Sequence, residues 1–246
     1  MDVSHLISIV GGGPGDPELL TVKGMKRLQQ ADVVLYDGLL REEVLDLTAP
    51  ECEKIFVGKY HSDGQNQEKR QEDIHRWFKF YAEQGKKVVR LKTGDPMIFG
   101  RGPEEIRFCV EHHLNYEVIP GVTAALAGSA QFNVPLTERH KACMALFYTG
   151  HRTNGTFSDL EALTAVLSTG SPVMIYMGLN KLAELSEALL ERGVEASTTV
   201  QILSKISQPE EQHYETSLED VDNFLAENNP QAPTVIIIGE HALSIQ

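Results

Sequence analysis

The feature that most constrains this chain is an alternation of two hydrophobic periods along its first half. Short β-rich apolar runs lie at 6–10, 33–36, 54–57, 88–91 and 116–119, and between them 22–30, 67–83 and 103–112 carry helical spacing. The middle helical segment repeats its apolar groups at Ile74, Trp77, Phe78 and Tyr81. Strands alternating with helices predict a parallel sheet covered on both faces. Sheets of that kind bind ligands beyond the carboxyl ends of their strands.

The run Pro120-Gly121-Val122-Thr123-Ala124-Ala125 interrupts the alternation and reads as a domain junction. Beyond it, strands are expected at 142–148, 173–177, 199–203, 212–215 and 235–238, and helices at 159–167, 180–192 (Asn180 as its cap, Gly193 as its stop) and 218–227. Two strands meet directly around Gln208-Pro209, so the second sheet should be mixed and contain an antiparallel hairpin. The expected architecture is α/β in two domains, 1–120 with a mainly parallel sheet and 121–246 with a mixed one.

A formal net charge of −13 argues against nucleic acid or an anionic membrane as the main partner. The apolar runs are far shorter than the roughly 20 residues needed to span a bilayer as a helix. The first ten residues read as a strand rather than a secretion signal. Cys52, Cys109 and Cys143 form no metal or redox pair, and His61, His75, His112 and His113 form no coherent ligand set, so no metal is expected. The odd cysteine count suits a reducing cytoplasm.

Four segments carry chemistry. Gly11-Gly12-Gly13-Pro14-Gly15-Asp16 follows the first strand. It lacks the glycine spacing of a dinucleotide fingerprint and the Gly-Lys-Ser/Thr ending of a phosphate loop, so a ligand other than a pyrophosphate is expected there. Thr93-Gly94-Asp95-Pro96-Met97-Ile98 and the following Gly100-Arg101-Gly102 form a rigid loop after the fourth strand, able to present backbone and a carboxylate. The strand at 33–36 ends in Asp37, and Lys59 follows the strand at 54–57, which would set an acid and a base at one edge of the sheet.

In order, GGGPGDPELLT, LYDGLL, VGK, LKTGDPMIFGRG, PGVTAA, VPLTER, TGH, IYMGLN and PTVIIIGE resemble the landmarks of the tetrapyrrole methylase family, over nearly the whole chain. The likeness is greatest to its uroporphyrinogen-III C-methyltransferase branch, in the stand-alone form without a fused dehydrogenase-ferrochelatase region. The resemblance implies two α/β domains with a ligand cleft between them, a homodimer, and S-adenosylmethionine as methyl donor, released as S-adenosylhomocysteine. It implies two methylations of uroporphyrinogen III, at carbons 2 and 7, giving precorrin-2. The alternatives are methylation of another precorrin or cobalt-precorrin, or a catalytically silent relative that binds the tetrapyrrole or the cofactor.

Carried over by position, the cofactor residues would be Pro14, Thr93, Gly94, Asp95, Ile98, Thr123, Ala124, Met177 and Ile206, the last standing where relatives have glycine. Asp37 would be the proton acceptor and Lys59 the donor. The substrate is a polycarboxylate, so cations should gather near it, with Arg101, Arg139 and Lys23 preferred and His140, His151 and Arg152 further candidates. Tyr60 and His75 replace the arginine and asparagine found in relatives.

Overall fold

The computed structural model describes residues 6–58, 67–151, 156–240, 242, 243 and 245. The chain divides into two compact units, Met1–Thr123 and Ala124–Gln246.

In the first unit, β1 (Ile7–Gly11), β2 (Val33–Tyr36), β3 (Glu53–Phe56), β4 (Val88–Lys92) and β5 (Tyr116–Ile119) form one sheet in the order β3-β2-β4-β1-β5. Every pairing is parallel. Four helices cover it: α1 (Val22–Gln29), the single turn α2 (Glu42–Leu45), α3 (Gln67–Glu83) and α4 (Gly102–Glu111). Alternate residues of each strand point to opposite faces, and the core divides accordingly. Ile7, Ile9, Val33, Leu35 and Val88 pack with Ile74, Phe78 and Tyr81 of α3 and Cys109 of α4. Val10, Val34, Val89, Leu91 and Ile119 pack with Leu28 of α1 and Val44 and Leu45 of α2. Thr21 caps α1 by accepting from Gly24 N at 3.0 Å, and Pro103 enters the first turn of α4, where a missing N–H is tolerated.

The second unit holds β6 (Leu146–Thr149), β7 (Val173–Tyr176), β8 (Thr199–Ser204), β9 (Gln212–Ser217) and β10 (Thr234–Ile238) in the order β6-β7-β10-β8-β9. β6 and β7 are parallel, and the other pairs are antiparallel, including the expected β8–β9 hairpin. Its helices are α5 (Ala124–Gln131), α6 (Leu160–Leu167), α7 (Leu182–Leu190) and α8 (Val221–Glu227). Leu163, Leu167, Leu182, Leu185, Leu189 and Val221 from α6, α7 and α8 close over Val173, Ile175, Ile202 and Ile236.

Two expectations need correction. The strand placed at 142–148 starts only at Leu146, because Glu138 and Ala142 pair across a tight turn instead. Asn180 does not cap the helix expected at 180–192; it lies inside a 3-10 turn, Leu179–Lys181, and α7 begins at Leu182 without a side-chain cap. The boundary between the two units falls between Thr123 and Ala124, inside the segment 120–125 read as a junction, and α5 starts there with an alanine-rich sequence that favours helix. The stop at Gly193 has its physical cause: φ is +80°, and Val194 N donates back to Leu189 O at 3.1 Å.

Candidate active site

In the first unit the connection leaving β1 runs toward β2, whereas that leaving β4 runs past β1 to β5. Adjacent strands whose connections depart in opposite directions open a crevice at their carboxyl ends. Both glycine-bearing loops start there. Gly12 N donates to Lys92 O at 2.7 Å, Gly94 N to Gly13 O at 2.7 Å, and Gly13 N to Gly94 O at 3.3 Å. The loop after β5 joins them, since Gly121 N donates to Oδ2 of Asp95 at 3.0 Å while Oδ1 of Asp95 accepts from Met97 N at 2.7 Å. The three chains touch through bare backbone: a Cβ on Gly121 would lie 2.3 Å from Gly94 O and 2.7 Å from Gly11 Cα. Gly94 itself has φ +68°, the left-handed region that a side chain strains.

Pro14 is buried beside this junction, Ile98 is half-buried in the second loop, and Thr123 is buried at the end of the third. Oγ1 of Thr93 is buried and makes no hydrogen bond. A hydroxyl left without a partner is destabilising by about 1–3 kcal/mol, so it marks a place where a ligand's polar group would be welcome. The predicted first-unit cofactor residues therefore cluster on three loops at one sheet edge.

Asp37 follows β2 at the same edge, on the face covered by α4. Its Oδ1 accepts from Nη2 of Arg90 at 2.6 Å. Arg90 and Lys92 occupy alternate positions of β4 where apolar residues would be expected, and both are buried. Oε1 of the fully buried Glu105, from α4, accepts from Nε of Arg90 at 3.0 Å and from Nζ of Lys92 at 2.7 Å. Burial opposes the charge on Arg90, but Asp37 and Glu105 outweigh it and the guanidinium pKa moves up. On Lys92, burial first and the Arg90 charge second push the ammonium pKa down against the pull of Glu105. Sequence reading missed this network. The available signal was two cations inside a central parallel strand, a setting that reads as continuously apolar unless charges are paired.

The predicted cations have varied surroundings. Lys23 pairs with Oε2 of Glu117 at 2.7 Å, and Nε of Arg27 meets Oε1 of the same carboxylate. Burial alone would raise the pKa of Glu117; Arg27, Lys23 and Ser8 overcome it and bring it down to about 2. Arg101 has φ +59° and donates to both oxygens of Glu104, at 2.8 and 2.5 Å. Arg139 is exposed, His140 follows it with φ +68°, and His151 N donates to Oγ1 of Thr149 at 3.2 Å. Lys59, Tyr60, His61 and Arg152 lie outside the described residues. His75 is half-buried and stacks on Phe108 at 4.2 Å, and burial lowers its pKa. Among the described residues no three His, Cys, Asp or Glu side chains are grouped to hold a metal ion, and no helix is long and apolar enough to cross a membrane.

In the second unit α5 gathers the predicted residues. Ala124 opens it, and Ala125 N donates to the hydroxyl of Tyr176 at 3.0 Å, at the end of β7. Met177 comes next, with φ +55° and 59% of its surface exposed. Ile206 follows β8 and is buried; a Cβ on Gly128 of α5 would lie 2.8 Å from its Cδ1, so its side chain fills the space that this glycine leaves. Since β7 and β8 both run antiparallel to β10, Met177 and Ile206 stand at the same edge of this sheet.

A sequence profile described as Tetrapyrrole (Corrin/Porphyrin) Methylases matches residues 6–222. Among curated relatives, a siroheme synthase of Actinobacillus succinogenes is 41% identical over 95% of this chain and 48% of its own length. A siroheme synthase of Pseudomonas putida is 39% identical over 95% of this chain and 50% of its own. The chain thus spans about half the length of the curated relatives it matches. Among solved structures, uroporphyrin-III C-methyl transferase of Thermus thermophilus in complex with S-adenosylhomocysteine matches 95% of this chain and 92% of its own, with 36% identity and a TM-score of 0.78. A cobalt precorrin-4 methyltransferase matches 96% and 95%, with 26% identity and a TM-score of 0.84.

Proposed function

Because this chain belongs to the tetrapyrrole (corrin/porphyrin) methylases, we propose that it methylates uroporphyrinogen III at carbons 2 and 7 to precorrin-2, using S-adenosylmethionine. The observation that carries the reading is the three-loop junction at Gly11, Gly94 and Gly121, closed by Asp95. It offers bare backbone, a carboxylate and the unpartnered Thr93 hydroxyl, without a phosphate loop's lysine. That donor set suits a ligand with an amino-acid tail and no phosphate. The 36% identity to the T. thermophilus enzyme favours uroporphyrinogen III over the cobalt-precorrin substrate of the 26% identical neighbour.

When bound, the sulfonium supplies an already activated methyl group. The protein's own contribution is then alignment, which can be worth roughly 7–11 kcal/mol. Pro14, Thr93, Gly94, Asp95, Ile98 and Thr123 hold the donor, and Ala124, Met177 and Ile206 are further residues that the family resemblance assigns to it. Arg101, Arg139 and Lys23 meet the carboxylates of the ring, although Lys23 must share its charge with Glu117. Asp37 takes the proton that the macrocycle gives up after methylation, a step worth about 10²–10⁴-fold, and Lys59 acts as donor. The acting species is a homodimer in the cytoplasm.

The test is incubation of the protein with S-adenosylmethionine and uroporphyrinogen III, followed by absorption and mass spectra. Two added methyl groups are expected. Addition only to a later precorrin or cobalt-precorrin would reassign the substrate, and no addition despite S-adenosylhomocysteine binding would make the protein a carrier. In Asp37→Ala, turnover should fall about 10²–10⁴-fold with S-adenosylhomocysteine affinity unchanged by calorimetry. A large loss of affinity would remove Asp37 from the proton-transfer role.

A further inference from the structure

The buried charges behind Asp37 ask for an explanation that folding does not supply. Glu105 is wholly inaccessible, and Arg90 and Lys92 are both almost wholly so. Well-packed apolar residues would serve stability as well or better than a buried ion network. Yet Glu105 of α4 and Arg90 and Lys92 of β4 are buried together, and with the part-exposed Asp37 after β2 they form a group of two anions and two cations.

We infer that Arg90 is the positioning residue for the Asp37 carboxylate, an inference that rests on the reading of Asp37 as proton acceptor. The guanidinium is planar and is fixed from three directions. Nε donates to Oε1 of Glu105 at 3.0 Å, and Nη1 donates to the backbone carbonyls of Leu35 at 3.3 Å and Leu91 at 3.0 Å. Both carbonyls belong to paired strands of the sheet, with Leu35 in register with Arg90 itself. Nη2, held in the same plane by those bonds, meets Oδ1 of Asp37 at 2.6 Å. Oδ2 has no protein partner among the described residues, and the side chain keeps about a quarter of its surface (27%) open. One oxygen is thus held by the scaffold while the other is left without a protein partner among the described residues. A lysine in place of Arg90 has a single nitrogen and cannot serve Glu105, two carbonyls and Asp37 together. Lys92 completes the device: it shares Oε1 of Glu105, so Glu105 keeps a cation even when Arg90 is replaced.

The experiment puts Arg90→Lys and Arg90→Gln into the full chain and also into an Asp37→Asn background. It measures kcat for methyl transfer to uroporphyrinogen III, the KM for S-adenosylmethionine, and S-adenosylhomocysteine affinity by calorimetry. With native Asp37, each replacement should lower kcat by about 10- to 100-fold, the size of loss that an ångström of misplacement causes. KM and affinity should stay within about twofold. In Asp37→Asn the same replacements should change kcat by no more than about twofold, because the group they position has gone. Equal losses in both backgrounds would make Arg90 a general scaffold residue and overturn the inference, as would an undiminished kcat with native Asp37. Failure of both variants to fold would overturn it in the same way, since Arg90→Gln leaves Glu105 paired with Lys92. An Asp37→Asn protein with full kcat would instead sink the underlying reading of Asp37, a failure visible before Arg90 is changed.

Discussion

Replacing Gly121 by alanine tests the loop junction most sharply. The added Cβ would lie 2.3 Å from Gly94 O, 2.7 Å from Gly11 Cα and 2.8 Å from Gly11 C. All three are backbone atoms anchored by strands or by the Gly13–Gly94 bridge, so no side chain can swing away. Restoring an ordinary carbon–oxygen contact of about 3.3–3.6 Å requires the third loop to retreat by roughly 1 Å, which would break the 3.0 Å bond from Gly121 N to Asp95. Overpacking of this kind is destabilising by about 1–3 kcal/mol, and at roughly 2–4 °C per kcal/mol the melting temperature should fall by several degrees. S-adenosylhomocysteine affinity should fall at least about tenfold, equivalent to 1.4 kcal/mol. Gly85→Ala, in the turn after α3 and away from the loops, is the matched control. Its Cβ would meet nothing within 4 Å, and the penalty is backbone strain at φ +69°, about 1–2 kcal/mol. The two variants should melt similarly while Gly121→Ala loses far more affinity. Calorimetry giving Gly121→Ala native affinity would refute the idea that these loops form the cofactor floor.

Two further outcomes follow from the buried ionisable groups. Glu117 titrates at about 2 in the folded protein, below the roughly 4.3 of an unfolded glutamate, so its stabilisation is complete above that higher value and is lost as pH falls toward 2. Glu117→Gln should therefore lower the melting temperature at pH 7 but flatten its decline between about pH 4.3 and 2; an unchanged acid limb would assign the decline to other carboxylates. Burial raises the Cys109 thiol to about 12 and also raises Cys52, whereas Cys143 is exposed. A thiol reagent at pH 8 should modify Cys143 rapidly and the other two only after denaturation, and rapid modification of Cys109 would contradict its burial.

The parallel half of the fold was legible because both faces of its sheet are buried, which leaves short apolar runs separated by amphipathic helices. What escaped was either too short to show a period, as in α2, or disguised by its neighbours, as in α5 behind a proline and a glycine. The site was legible as loops but not as partnerships. Asp95 could be read as a carboxylate on a rigid turn, yet its acceptance of Gly121 N depends on how β5 lies beside β1. Lys23 reads as a free cation in one dimension and proves to share Glu117 with Arg27 in three. Arg90 and Lys92 sat inside a correctly placed strand, but only the closure of α4 over that strand reveals why charges are tolerated there.

The position of β10 sets an order of assembly during synthesis. All five strands of the first unit have emerged by Ile119, so that unit can close while the remainder is still being made on the ribosome. The second unit must wait: β6 with β7 and β8 with β9 are two separate ribbons until Thr234–Ile238 arrives to zip them together at the centre. Until then the inner edges of β7 and β8 stay open as well as the outer ones, the kind of surface that chaperones and neighbouring chains compete for.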